Sequence, residues 1–312
     1  MIKIIGKRLL QMIVVLFISS ILIFVLVRMS GTDPVSVILG GKESSQETRI
    51  NVQQAFNLDK SQPEQYLIWI NGIFHGKLGL SFKYQTDVSD LFAGRLSVTL
   101  GLVCMGSSFA LLLAIPLGII CAVRKNSLLD KSVTIIILIL NGCPAFLTSI
   151  LMILVISKVN PNYPFVGSFS NIKEYFERLL LPSISLAFTM VALTMRVIRS
   201  SMIEQQNAPY TMTAVAKGVS TGRLVLKHNL KNAVIPVISV VSIQIGSMVA
   251  GAVLVENVFS LGGLGTLLVD SIKTSDYAVV QSITMFLIML FMVLSTISDI
   301  LYAVIDPRIR MD

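Results

Sequence analysis

Six windows of this chain carry no charge at all, and they limit its folding more than any other feature. They run between Arg8 and Arg28, Arg95 and Arg124, Lys131 and Lys158, Arg178 and Arg196, Lys231 and Glu256, and Asp276 and Asp299. A helix of about 20 apolar residues crosses about 30 Å of hydrocarbon. Each window is rich in Leu, Ile, Val, Phe and Met, so each reads as one membrane-spanning helix. An open sheet would leave backbone groups unpaired in lipid, and continuous apolar runs exclude a transmembrane barrel. With 54% hydrophobic and only 13% charged residues, the chain cannot cover a core in water, where a surface needs about a quarter charged residues. Disorder, a coiled coil and a disulfide scaffold fit the composition no better. The expected fold is an all-α integral membrane protein with six transmembrane helices.

The first window follows Lys3, Lys7 and Arg8 as a signal peptide would. It is read as a retained anchor, because the apolar run continues to Val27 and no small-x-small cleavage site precedes Arg28. Orientation follows from where Lys and Arg collect. With a cytoplasmic amino terminus, the inside segments hold 14 basic and four acidic residues, and the outside segments hold 11 basic and 12 acidic ones. Both termini are therefore expected inside. The net charge of +8 is accounted for by this asymmetry and calls for no nucleic acid.

Residues 1–29 are expected to form the cytoplasmic amino terminus and first span, 30–95 an extracytoplasmic cap, and 96–312 a five-helix core. In the cap, Ser61-Gln62-Pro63-Glu64 reads as a helix start, followed by Tyr66, Ile70, Ile73 and Phe74 on one face and a stop at Gly76. Val88, Leu91 and Phe92 group just before Arg95. Gly262-Gly263-Leu264-Gly265 reads as a tight turn into a short helix at the outer mouth. It lacks the strand of a phosphate-binding loop.

The inner loop from Arg196 to Lys231 is the most informative soluble segment. Asn207 is read as capping a helix that begins near Pro209 and stops at Gly218, with the whole helical segment spanning about 208–219. Ser220 caps the next helix, which runs through Arg223, Lys227 and Lys231 into the fifth span. It reads as a short helix held parallel to the membrane between two spans; on geometry alone, a solvated amphipathic connector is the alternative.

At these residues the chain resembles the transmembrane subunits of bacterial ABC importers for dipeptides, oligopeptides and nickel. Thr213-Ala214-Val215-Ala216-Lys217-Gly218 and Asn232-Ala233-Val234-Ile235-Pro236 are similar to that family's "EAA" signature in its TA-x-AKG form. Val215 stands where Arg is common, and Glu is absent. Lys7-Arg8-Leu9, Gly31-Thr32-Asp33-Pro34, Leu78-Gly79-Leu80-Ser81, Arg199-Ser200-Ser201-Met202, Val255-Glu256-Asn257-Val258-Phe259-Ser260 and Asp306-Pro307-Arg308-Ile309-Arg310 add to the likeness in order and spacing.

The resemblance implies a type I ABC importer permease fold in the bacterial cell membrane, with both termini cytoplasmic. It also implies three kinds of partner: a second homologous permease subunit, two ATPase subunits and an extracytoplasmic solute-binding protein. Thr213, Ala214, Ala216, Lys217 and Gly218 would couple ATPase closure to the spans. No Gly-x4-Gly-Lys-Ser/Thr loop occurs in the sequence, so ATP and Mg would be bound by the partner ATPases and the chain would not itself be an enzyme. Cargo would be nickel, as a chelate, or di- and oligopeptides. Gly-Thr-Asp-Pro in place of Pro-Gly-Asp-Pro, and Ala192-Leu193-Thr194-Met195-Arg196, look closer to the nickel branch.

Polar groups within spans are costly in lipid and mark pathways or interhelical hydrogen bonds. Asn141, Gln244, Ser247, Glu256 and Asp299 are the pathway candidates, with interhelical bonding the alternative for each. Asp299 would alternatively pair with Arg308 or Arg310. No metal site is expected: His75 and His228 fall on opposite sides, Cys104, Cys121 and Cys143 lack ligand spacing, and the 14 Met read as packing. A membrane protease would need a catalytic set that is missing, and a secondary transporter would show internal repeats.

Overall fold

A computed structural model describes residues 2–29, 31, 33–41, 44–165, 169 and 171–305, with side chains over 6–297 of these and at Ile300. Among them the regular structure is helical apart from one isolated bridge, Leu80 to Asp87. The helices are α1 (Ile2–Arg28), α2 (Pro34–Ile38), α3 (Gln46–Ala55), α4 (Gln62–Phe74), α5 (Val88–Phe92), α6 (Arg95–Val123), α7 (Leu128–Gly142), α8 (Ala145–Val159), α9 (Ile172–Gln206), α10 (Pro209–Ala216) and α11 (Thr221–Arg223). A π turn (Leu224–Asn229) then leads into α12 (Leu230–Phe259), followed by α13 (Leu264–Lys273) and α14 (Tyr277–Ile305). Thr32 and the motif from Asp306 to Arg310 lie outside the described residues.

Five of the six charge-free windows become the long apolar helices α1, α6, α9, α12 and α14. The third does not form the single helix expected between Lys131 and Lys158. It breaks into α7 and α8, bent by 103°. Pro144 has no N–H and disfavours helical backbone at the residue before it. Cys143 is accordingly extended at φ −90°, ψ 122°. Each half has 15 residues, about 22 Å of helix, too short to span alone.

The packing of α6 on α9 shows that the bent pair still crosses. Gly101 lies against Tyr175 and Leu179, Gly106 against Ser183 and Leu186, and Gly118 against Met195 and Ile198. Contacts therefore advance together along both helices, and α6 and α9 are parallel. The chain between them must travel from the far end of α6 back to the end at which α6 and α9 begin, here called the cap end after the expected cap. Asp130 near the start of α7 meets Arg199 at the far end, whereas Tyr163, just after α8, donates from its hydroxyl to Glu177 O at 2.7 Å at the cap end. Counted as one broken span, the pair completes six.

Four residues spaced by four, Gly106, Ala110, Ala114 and Gly118, run along α6 and are buried. Small side chains in this spacing let helix backbones approach in lipid, where packing replaces the hydrophobic effect as the attraction between helices. Leu102, Leu186, Met190, Met195, Met248 and Phe259 fill the core around that stripe.

The segment before α6 folds against α1 and α14. Ser61 and Glu64 form a capping box at the start of α4. Tyr66, Ile70 and Ile73 are half-buried as expected, but Phe74 is 83% exposed. Phe74 lies eight residues past Tyr66, about 80° round the helix. Trp69, three residues past Tyr66, takes the place instead, and both rings pack on Phe24 of α1. Asp276, just before α14, accepts from Ser81 Oγ at 2.5 Å and from the N–H groups of Phe82 and Lys83 at 3.1 Å. This holds the Leu78-Gly79-Leu80-Ser81 turn against the spans. Val88 and Phe92 pack with Leu264, Leu267, Val279 and Ile283.

Candidate functional site

The end of the bundle away from α2–α5 carries α10. The expected cap residue, Asn207, instead closes α9, accepting no part in the next helix: its N–H bonds back to Glu204 O. Ala208 occupies the cap position and Pro209 starts the helix, where a missing N–H costs nothing. Ala216 ends α10, Lys217 caps it and Gly218 follows at φ +75°, the left-handed stop that glycine adopts without a Cβ clash. Thr213, Ala216, Lys217 and Gly218 are exposed and Ala214 is half-buried. Met212 and Val215 are 65% and 58% exposed, so α10 presents an apolar side away from its own chain.

The opposite side of α10 is fastened at two points. Tyr210 donates from its hydroxyl to Gln205 Oε1 at 2.8 Å. The buried Thr211 Oγ1 lies 2.7 Å from Gln205 O and 3.0 Å from Asn229 Oδ1, while the buried Asn229 Nδ2 has no acceptor. One hydroxyl proton cannot serve two acceptors. Turning the Asn229 amide over removes the conflict at Thr211: its hydroxyl donates to Gln205 O and accepts from Nδ2. Asn229 is the last residue of the π turn, and such turns place side chains where a regular helix would not.

A separate ion pair joins α9 to α7. Arg199 of α9 donates from Nε to Asp130 Oδ1 and from Nη2 to Asp130 Oδ2, both at 2.7 Å. Asp130 also accepts from Asn126 N–H at 2.9 Å, and its own N–H is capped by Ser127. Thr211, Asn229 and the Asp130–Arg199 pairing escaped sequence reasoning. One signal was available for the pair: Asp130 is one of few acids in segments dominated by cations.

The pathway candidates occupy different surroundings and do not converge on one cavity among the described residues. Asn141 is exposed, one turn before the break at Pro144. Gln244 donates from Nε2 to Thr189 O of α9 at 3.2 Å, and Ser247, exposed on α12, donates to Gln244 O at 2.8 Å. Glu256 is fully buried. Its Oε2 accepts from Gly265 N–H at 2.7 Å and Thr266 N–H at 3.3 Å at the start of α13, where Leu264 N–H also donates to Thr99 Oγ1 of α6 at 3.0 Å. The Glu256 carboxylate thus joins α12 to α13, the helix that the glycine turn was expected to begin. Asp299 lies in α14, and its side chain, with Arg308 and Arg310, is outside the described residues. Among the described residues no three of His, Cys, Asp and Glu come together as a metal site would require.

Residues 1–103 match the profile of the amino-terminal part of binding-protein-dependent transport system membrane components, and residues 114–311 match the profile of the binding-protein-dependent transport system inner membrane component. The chain belongs to this family. It is a permease subunit of an ABC importer, a multi-pass protein of the bacterial inner membrane. Among its relatives are a Brucella suis biovar 1 (strain 1330) protein named as a peptide permease, 36% identical over 299 residues and covering 94% of each chain. The glutathione transport system permease protein GsiC of Escherichia coli O6:H1 is 36% identical over 310 residues, covering 99% of each chain. GsiC of Escherichia coli strain K12 matches with the same identity and coverage.

Proposed function

We propose that this permease forms, with a second permease subunit, the membrane pathway of an ATP-driven importer for short peptides and glutathione-sized thiol peptides. A solute-binding protein delivers the cargo at the cap end, and two ATPase subunits bind ATP and Mg at the other. The observation that carries this reading is α10. It is exposed and apolar along Met212 and Val215, yet tied through Thr211 to both α9 and the segment entering α12. A push on Thr213 to Gly218 from an ATPase subunit is then transmitted to two spans at once. In this reading the α10 end and both termini are cytoplasmic, consistent with the basic residues at Arg124, Lys125, Lys217, Arg223 and Lys227.

The names of the relatives support peptides as cargo and lend nothing to the nickel reading suggested by Gly-Thr-Asp-Pro. The test is ATPase stimulation of the complete reconstituted transporter with its binding protein, comparing dipeptides, oligopeptides, glutathione, and nickel both free and chelated. Stimulation by peptides or glutathione alone is the expected result. Stimulation by nickel alone would overturn the cargo and leave the family standing.

A further inference from the structure

On the α10 side of the break, α7 and α9 enclose a groove of about 250 Å³ whose walls include Thr134, Leu138, Met195, Arg196 and Arg199. Arg199 is neutralised by Asp130. Arg196 is exposed, and among the described residues it has no ion pair; the same holds for Lys131, which precedes Thr134 by one helical turn. One cation without an ion pair, Arg196, and the Thr134 side chain therefore line the groove beside the paired Arg199; the other walls are apolar, and Lys131 stands outside the lining, on the face of α7 that carries Thr134. The surface beside it is apolar as well: Ile135, Leu138 and Leu193 are 57%, 45% and 39% exposed. Cations at the edge of an exposed apolar helix face call for an anion. The apolar walls call for one attached to hydrocarbon.

We propose that this groove binds the phosphate of an anionic phospholipid, with Arg196 and Lys131 as counter-charges, Thr134 as a hydroxyl donor and the acyl chains lying over Leu138 and Ile135. Basic pockets between transmembrane helices recognise such headgroups. Phosphatidylglycerol brings one negative charge and no cation of its own, so it fits, whereas the ammonium of phosphatidylethanolamine cancels its phosphate charge and would face Arg196 and Lys131. Arg199 contributes through its place in the wall and stays paired with Asp130. The inference rests on the fold alone and is independent of the cargo.

Native mass spectrometry of the complete transporter, titrated with phosphatidylglycerol or phosphatidylethanolamine, tests it. Each surface cation contributes about fivefold to anionic-lipid affinity. The wild type should therefore hold phosphatidylglycerol about 25-fold more tightly than phosphatidylethanolamine. Arg196→Gln should lose about fivefold for phosphatidylglycerol and Lys131→Gln with Arg196→Gln about 25-fold, with phosphatidylethanolamine unchanged. Lys158→Gln, at the far end of α8, should change neither. Leu138→Glu sets a negative charge on the lip of the groove while leaving both cations in place, and it should expel phosphatidylglycerol; co-elution with the partner subunits reports folding. Equal retention of the two lipids by the wild type, or full retention of phosphatidylglycerol by the double variant, would overturn the proposal. Competition by free glycerol phosphate at the same concentration would overturn a lipid in favour of a soluble phosphate ester.

Discussion

Arg199 and Asp130, 69 residues apart, meet as a two-pronged ion pair that fixes the start of α7 to the end of α9. Removing one partner of a buried pair strands the other without compensation. Asp130→Asn should cost about 3 kcal/mol, the low end for such pairs because the Arg199 side chain is 27% exposed. Arg199→Lys keeps the charge and loses the fork, and should keep less than half of the stabilisation that the pair supplies. Thermal unfolding of the purified transporter measures both. An Asp130→Asn protein as stable as the wild type would show that the pair is no brace.

Thr211→Val preserves shape but removes the hydroxyl shared by Gln205 and Asn229. Leaving buried polar groups unpaired costs about 1 to 3 kcal/mol, and here the loss falls on the joint between α10 and the spans. Insertion and assembly should persist while uptake per ATP hydrolysed drops several-fold, a coupling ratio read in proteoliposomes. Unchanged coupling would remove Thr211 from the lever.

Gly218 separates backbone from space. A Cβ there meets nothing within 4 Å, but φ is +75°, and an L-residue held in that region loses about 1 to 2 kcal/mol. Gly218→Asn should transport best of the substitutions, Gly218→Ala less well and Gly218→Val least, since Asn tolerates this conformation and β-branched residues do not. Normal transport by Gly218→Val would sink the coupling role of the segment.

At Gly265 space decides instead. A methyl group would collide with the backbone of Val253 and with the Glu256 carboxylate, neither of which can move without parting α12 from α13. Gly265→Ala should lower thermal stability by several degrees. Gly142→Ala, where nothing lies within 4 Å, should leave it unchanged. Equal effects from the two would mean that α13 is not seated by close packing.

The prolines show where sequence reading ends. Four of them stand within the charge-free windows as helix breakers by their chemistry alone. Pro116, Pro182 and Pro236 lie inside continuous helices, and only Pro144 separates two. Neighbouring helices can support the backbone freed by a proline in one place and leave it to bend in another. The same distinction holds for Trp69 and Phe74: both are apolar residues of α4, and the position of α1 decides which is covered.

The amino-acid sequence by itself determined the membrane environment, the six windows, the helix ending at Gly218 and the glycine turn before α13. Each follows from local costs: a charge in hydrocarbon, a Cβ at positive φ, a missing N–H. Only the tertiary structure decided that α6 and α9 run parallel, that the third window is broken, that Asp130 belongs to Arg199 and that Thr211 belongs to Asn229. Those pairings join residues far apart in the chain, and their energies depend on which backbones approach closely, a property that no local pattern of residue types encodes.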